Sequence, residues 1–192
     1  MTSRSADRWR HLDELLHRHA PRVAADLRPA PAPVTLGHVL TAPWCPPSVV
    51  ESLEAHDGAS SAGGVLSLLP TDDDTFWPAT SRWLSIDEAL AERAHLDRFF
   101  PDASTRWYPL ARSHGRPLAP SAYEAGTVRL VVVDAPGEEL LAVSYHWQDG
   151  PLGLLMRLGL SWSDYLDDLT RQLASDQLTT SLVDGAPRLT PR

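Results

Sequence analysis

Residues 105–115 read T-R-W-Y-P-L-A-R-S-H-G, and the rest of the chain is arranged around this stretch. Trp107, Leu110 and their neighbours predict a short strand that ends at a serine and a glycine, two residues typical of turns. A patterned helix precedes the stretch and a hairpin-like region follows it, so we expect the strand to lie centrally in a sheet. Pro109 lacks the N–H that a strand ladder needs. The strand should therefore be short, or should bulge or end at Pro109.

The composition is that of a folded domain with an acidic surface. The chain has 192 residues, of which 43% are hydrophobic and seven are tryptophans, enough for one domain with a sizeable core. Its net charge of −8 argues against nucleic acid as the main partner, since binding to phosphates needs lysine and arginine. An acidic surface suits a basic protein partner, or simply keeps the protein in solution.

The sequence has neither a secretory signal nor a membrane span by its pattern. The N-terminal residues M-T-S-R-S-A-D-R-W-R lack an apolar segment, and no apolar run approaches the roughly 20 residues of a membrane helix. Cys45 is the one cysteine, so neither an intramolecular disulfide nor a cysteine-based metal site can form within the chain. We expect a cytoplasmic protein that does not bind membranes.

Apolar residues at helical spacing predict four amphipathic helices. The third helix has the best capping signal in the chain, the capping box Ser85-Ile86-Asp87-Glu88. Gly58 should close the second helix in the left-handed conformation. The helices are expected from Trp9 to a break or kink at Pro21, from Pro47 to Gly58, from Ser85 to Pro101, and from a cap at Ser161 or Ser163 to Leu173.

Three further stretches are predicted as strands. Val65–Leu69 is a compact apolar run, 127–133 is apolar enough to be buried on both faces, and 141–147 alternates as a half-buried strand does. The last two flank the turn D-A-P-G-E and should form an antiparallel hairpin. Segment 35–41 fits a helix or a strand, and the apolar segment 152–159 is also ambiguous.

No pattern in the sequence points to a catalytic, cofactor or metal site. His11, His17 and His19 do not share one helix face, and there is no H-E-x-x-H or zinc-like cluster. Nucleotide-binding glycine motifs and the G-x-S-x-G elbow of serine hydrolases are also absent. A Ser–His–Asp constellation stays open, because its members can be far apart in sequence. We name no catalytic residue and expect no metal or cofactor.

Two local patterns have both a catalytic and a structural interpretation. His56-Asp57-Gly58 looks like a catalytic pair, but histidine also suits a helix C-terminus, with the glycine as its cap. Cys45 would need an activating base to act as a nucleophile. Flanked by a tryptophan and a proline, it suits packing as a small apolar residue. We favour the structural interpretation of both.

The most acidic local run is P-T-D-D-D-T-F-W-P, residues 70–78. A solvated loop is the plain interpretation of such a run, and its tryptophan could equally belong to the core. Aromatic residues directly after acidic ones are also typical of an interface, with an apolar anchor and a charged rim. The candidate partner-binding residues are Asp72, Asp73, Asp74, Phe76 and Trp77.

Several motifs follow one another along the chain in a recognisable order. They are the Trp9 helix with its proline-rich connector, P-P-S-V-V-E-S-L-E-A-H-D-G (46–58), W-L-S-I-D-E-A-L (83–90), R-W-Y-P-L-A-R-S-H-G (106–115) and S-W-S-D-Y-L-D-D-L (161–169). Together they resemble the SUKH superfamily, the family of the fungal cell-wall assembly regulators. Each motif is short, so the resemblance depends on their order and spacing over roughly residues 9–175.

The resemblance implies an α+β fold, with helices packed against a single mixed, mostly antiparallel sheet. The SUKH-like domain would cover residues 9–180, between a flexible N-terminus at 1–8 and a loose tail at 181–192. The resemblance also implies protein binding without catalysis. Bacterial members are often immunity proteins that neutralise a toxin, commonly a nuclease, and fungal members are regulatory interaction proteins. The superfamily has no fixed set of functional residues, so no site is carried over.

We therefore expect a non-enzymatic, immunity-type protein that binds a protein partner, in particular a basic toxin domain. The acidic balance and the loop at 72–77 motivate this expectation, because complementary charge speeds association and sets specificity. A regulatory or scaffold protein of the same fold is the first alternative. A hydrolase that uses an unrecognised His/Asp pair is the second.

Overall fold

Helices pack on a larger antiparallel sheet, and a smaller sheet follows near the end of the chain. The computed structural model describes residues 3–69, 81–102, 106–113, 127–146 and 150–192. The helices are α1 (Ser3–His19), α2 (Pro21–Asp26), α3 (Pro33–Leu40), α4 (Pro47–Ala55), α5 (Ile86–Phe99) and α6 (Trp162–Ala174). The strands are β1 (Ser81–Trp83), β2 (Trp107–Ser113), β3 (Thr127–Asp134), β4 (Glu139–His146), β5 (Gly150–Ser161), β6 (Leu178–Val183) and β7 (Ala186–Pro191).

The main sheet has the strand order β1-β2-β3-β4-β5. Every neighbouring pair in it is antiparallel, because each strand lies beside the next one in the chain and runs back along it. β6 and β7 form a second antiparallel pair. The fold is thus α+β with helices packed on a sheet, as predicted, and the described strands of the main sheet are antiparallel throughout rather than mixed.

β2 is the strand predicted within residues 105–115, and Pro109 interrupts it as expected. The register of β2 against β3 shifts between Pro109 and Ala111. Leu110 lies within the shift, and its carbonyl accepts a hydrogen bond from the Leu84 N–H at 3.0 Å. β2 lies inside the sheet as predicted, because it pairs with β1 on one side and with β3 on the other.

The main core lies between one face of the main sheet and helices α1, α4 and α6. Trp9, Trp83 and Trp162 are almost completely buried there, and the rings of Trp9 and Trp83 stack with centroids 5.5 Å apart. The Ser52 hydroxyl accepts hydrogen bonds from the indole N–H groups of Trp9 at 3.0 Å and Trp162 at 2.8 Å. It donates to the Ser48 carbonyl at 2.9 Å. One serine on α4 therefore connects α1 and α6.

The opposite face of the main sheet has a smaller core of its own. Leu130 and Val132 of β3 belong to it, whereas Val131 and Val133 belong to the main core. This alternation shows that residues 130–133 of the predicted strand are buried on both faces. The C-terminal half of α5 covers the smaller core.

The helix ends follow local sequence signals. Ser85 and Glu88 form the predicted capping box at the start of α5. Of the two candidate caps for α6, Ser161 is the one that caps it. α1 ends before Pro21, which begins α2 at a position where proline suits the first helical turn.

Three other segments complete or correct the predictions. Segment 35–41 belongs to α3, and 152–159 belongs to β5. Val65–Leu69 is a series of turns rather than the expected strand. Its N–H groups bond to carbonyls three residues earlier instead of to a neighbouring strand, as from Leu66 to Gly63 at 2.9 Å.

Both ends of the chain have more secondary structure than expected. α1 begins at Ser3, within the segment predicted to be flexible. The predicted loose tail is corrected by the structure, since residues 178–191 form the β6–β7 hairpin. Leu178 and Leu189 are buried in the main core, and the Gly64 N–H donates to the Pro187 carbonyl at 2.9 Å. Contacts with residues far away in the chain therefore hold the hairpin in place.

Candidate functional site

The site predicted from the sequence lies outside the described residues. It comprised Asp72, Asp73, Asp74, Phe76 and Trp77. The described helices and strands form concave regions elsewhere on the surface.

Helices α1 and α4 form a groove of about 500 Å³ that is lined with acidic residues. Asp13 and Glu14 line it from α1, and Glu51 and Glu54 line it from α4. Glu51 and Glu54 are three residues apart, about one helical turn, so they face the same opening. We call this region the acidic groove. Its other lining residues are Trp9, Arg10, His17 and Ala55.

The charges of the acidic groove do not cancel. Glu51 is 3.8 Å from the Arg8 guanidinium, a weak and partly exposed contact. Arg10, which lines the groove, pairs with Asp7 at 2.7 Å. Among the residues that the structure describes, Glu14 and Glu54 have no ion-pair partner, and both are exposed. The groove therefore presents negative charge that a cationic group could neutralise.

The base of the acidic groove is firmly held. Trp9 is only 2% exposed, stacks on Trp83 and donates to the Ser52 hydroxyl. The ring of His56 meets Trp9 edge-on, with centroids 5.2 Å apart. A groove built on packed aromatic rings can hold its carboxylates in place before a partner arrives.

His56 and Asp13 form the His/carboxylate contact beside the groove. Nε2 of His56 is 2.9 Å from one Asp13 oxygen and 3.1 Å from the other. Nδ1 lies 3.0 Å from the Arg28 carbonyl oxygen. Both ring nitrogens thus face acceptors, and neither is left to act as a general base toward a nucleophile. The contact joins α1, the end of α4 and the connector after α2.

Asp57 and Gly58 have structural roles as well. The Asp57 carboxylate accepts a hydrogen bond from the Ile86 N–H at 2.8 Å, at the start of α5. Gly58 has a φ of 77°, and a Cβ there would lie 2.6 Å from the carbonyl carbon and oxygen of Leu84. The left-handed conformation was predicted correctly, but α4 already ends at Ala55. The glycine lets two chain segments approach closely rather than capping α4.

Cys45 is a core residue. It is 9% exposed, and burial raises the pKa of its thiol to about 12. A thiol with such a pKa contains almost no thiolate at neutral pH, so it is a poor nucleophile. This agrees with the structural interpretation of Cys45.

The described residues hold no group of three or more histidine, cysteine, aspartate or glutamate side chains that could bind a metal ion. Within the same residues, every helix is too short or too polar to cross a membrane. In comparisons with known proteins, no family model and no curated protein matches the chain.

The acidic groove was not predicted from the sequence, although the sequence does show the two pairs of carboxylates that line it. The pairs at 13–14 and 51–54 each place two carboxylates near each other on a predicted helix. Nothing local indicates that the two helices lie side by side, since Glu14 and Glu51 are 37 positions apart. Only the packing of α1 against α4 brings the four carboxylates together.

Proposed function

We propose that this protein is a non-enzymatic, immunity-type binding module that neutralises a toxin by covering a basic surface of it. The acidic groove is the observation that carries the proposal, because four carboxylates line one concave site of about 500 Å³. The net charge of −8 and the order of the SUKH-like motifs support the same function.

A segment rich in arginine or lysine suits the acidic groove best. A carboxylate can accept two parallel hydrogen bonds from one guanidinium group. Opposite charges 4 Å apart near a protein surface attract by about 4 kcal/mol before desolvation is subtracted. Since Glu14 and Glu54 have no ion-pair partner among the described residues, a partner would not have to break an existing pair to reach them.

The chemistry of the groove supports binding rather than catalysis. Asp13 already accepts from His56, whose other ring nitrogen faces the Arg28 carbonyl. Complementary charge mainly speeds association and excludes wrong partners. An immunity protein needs fast association, because it must reach its toxin before the toxin reaches its target. It also needs to exclude wrong partners.

The test begins with the partner. Proteins that co-purify with this chain from its native host are identified by mass spectrometry, and the stoichiometric partner is expressed and purified. Association rates are then measured at low and high salt for the wild type and for Glu14→Gln/Glu54→Gln. Asp87→Asn/Asp184→Asn is the matched control, because it also removes two exposed carboxylates but leaves the groove intact.

We expect the groove variant to associate about tenfold more slowly at low salt and the control to match the wild type. The difference should shrink at high salt, where exposed charges are screened. In cells that express the partner, the wild type should restore growth and the groove variant should do so less well. Equal rates for the two double variants would contradict the role of the groove. The lack of a stoichiometric partner would contradict the function, and a non-toxic partner would favour the regulatory alternative.

A further inference from the structure

A second cavity, of about 300 Å³, lies between α5 and the face of the main sheet that carries the smaller core. We call it the α5–sheet pocket. It is separate from the acidic groove, and no lining residue is shared between them. Its lining residues are Glu92, His95, Arg98 and Phe99 from α5, Arg112 from β2, Val128 from β3 and Tyr145 from β4.

Regular secondary structure builds this pocket. Val128 and Tyr145 are directly paired across β3 and β4, and Arg112 is paired with Leu130 one strand further on. On α5, Glu92, His95 and Phe99 follow at steps of three and four, so they lie on one helix face. Groups held on helices and strands keep their positions better than groups on loops.

A buried polar pair forms one wall of the α5–sheet pocket. The Glu92 side chain is almost completely buried and pairs with the Arg112 guanidinium, whose side chain is 41% exposed and reaches the cavity. Burial raises the pKa of the nearby Tyr145 hydroxyl, and the charge of Glu92 adds to this while Arg112 opposes it. The hydroxyl therefore stays protonated at neutral pH and can donate a hydrogen bond.

The charge of the pocket is opposite to that of the protein as a whole. Glu92 and Arg112 neutralise each other, which leaves the Arg98 guanidinium as the unpaired charge among the described lining residues. The net charge of the chain is −8. A cationic pocket on an acidic protein favours an anion locally and disfavours amines.

The pocket also has an aromatic and apolar lining, formed by Phe99, Val128 and Tyr145. The rings of Phe99 and Tyr145 are tilted by 35° with centroids 5.0 Å apart, and Val128 lies beside them. The Arg98 guanidinium lies 5.8 Å from the centre of the Phe99 ring. Cationic donors next to aromatic carbon match a ligand with a carboxylate at one end and a ring at the other.

We propose that the α5–sheet pocket binds a small aromatic carboxylate. The cavity of about 300 Å³ is at the lower end of the range for ligand sites. The carboxylate binds Arg98 and the exposed side of Arg112. The ring packs against Phe99, Val128 and Tyr145.

Phenylacetate serves as the probe, and its binding is measured by saturation-transfer NMR and by titration calorimetry. Phenylacetamide, phenethylamine and inorganic phosphate are the comparison ligands. We expect saturable binding of phenylacetate, binding of the amide that is weaker by about tenfold or more, and none of the amine. Equal binding of the amide would overturn the role of charge. Equal binding of phosphate would overturn the role of the aromatic and apolar lining, and a lack of saturable phenylacetate binding would overturn the proposal.

Two variants test the location. Arg98 is exposed and its replacement leaves the Glu92–Arg112 pair intact, so Arg98→Gln should fold normally. It should weaken phenylacetate binding by roughly 10- to 100-fold, the range for losing a charge-assisted hydrogen bond. Arg171→Gln removes an exposed arginine elsewhere and should leave binding unchanged. If both variants bind alike, the ligand site is not the α5–sheet pocket.

Discussion

Glu88 shows how one side chain combines several structural tasks. Its carboxylate accepts hydrogen bonds from the Ser85 N–H and from the guanidinium groups of Arg28 and Arg82. Burial alone would raise the pKa of Glu88, but the bonds from Arg82 and Ser85 and the charges of both arginines outweigh it and lower the pKa to about 2. The same carboxylate thus caps α5 and connects it to β1 and to the connector after α2.

This pKa predicts how stability changes with pH. An ordinary glutamate in the unfolded chain has a pKa of about 4.3, above the folded value of about 2. The contribution of Glu88 to the free energy of unfolding is therefore complete above about pH 5 and is lost as the pH falls toward 2. Since the side chain is 34% exposed, screening reduces this contribution to about 1–2 kcal/mol.

Glu88→Gln should lower the free energy of unfolding at pH 7 by about 1–2 kcal/mol and flatten its decline between pH 5 and pH 2. Urea denaturation at a series of pH values measures both effects. Glutamine keeps the size of the side chain, so the comparison isolates the charge. If the variant declined with the same slope as the wild type, the low pKa of Glu88 would be contradicted.

At the scale of elements, the triplet His56-Asp57-Gly58 joins the end of α4 to three other parts of the chain. His56 contacts α1 and the connector after α2, and Asp57 caps α5. Gly58 packs against the backbone of Leu84 and Ser85. The triplet is therefore a junction between elements, and each of its three residues makes a different contact there.

Gly58→Ala should destabilise the protein by about 2 kcal/mol or more. The left-handed conformation alone costs an L-residue about 1–2 kcal/mol, and the new Cβ would lie 2.6 Å from backbone atoms of Leu84, which cannot move easily. Gly37→Ala is the control, since a Cβ at this helical position meets nothing within 4 Å. It should stabilise by about 0.5–1 kcal/mol. Thermal unfolding of both variants measures this, and shifts in the same direction would contradict the interpretation of Gly58.

Elements with a strong local signal were predictable. The capping box at Ser85, the bulge at Pro109 and the β3–β4 hairpin each depend on residues within a few positions of each other. The apolar run Val65–Leu69 was misjudged because its length fits a strand, whereas its N–H groups bond within local turns. Apolar residues indicate burial there, but they do not indicate the hydrogen-bond partners of the backbone.

At the scale of the whole molecule, the C-terminal hairpin completes the main core. Leu189 of β7 is 2% exposed, and its N–H donates to the Ser67 hydroxyl at 3.2 Å. The hairpin is polar enough to suggest a loose tail when it is considered alone. Its two buried leucines belong to the main core, and the hairpin contacts α1, α2 and the turns after Gly64.

Leu189→Ala should lower the free energy of unfolding by about 2–5 kcal/mol, the usual range for a leucine truncated in a packed core. Leu182 is on the same hairpin but is 54% exposed. Leu182→Ala should therefore change the free energy of unfolding by less than about 0.5 kcal/mol. Chemical denaturation gives both values. Two small effects would mean that the hairpin is as loosely attached as the sequence alone suggested.

The sequence by itself determined helices α1, α4, α5 and α6, the capping box at Ser85, the β3–β4 hairpin and the interruption at Pro109, because caps, turns and periodicity act over a few residues. Tertiary structure alone decided the acidic groove, the α5–sheet pocket and the attachment of the C-terminal hairpin. Each of these joins side chains from elements far apart in the chain. Local patterns specify which face of an element is apolar. The packing of the whole molecule determines which other element covers that face.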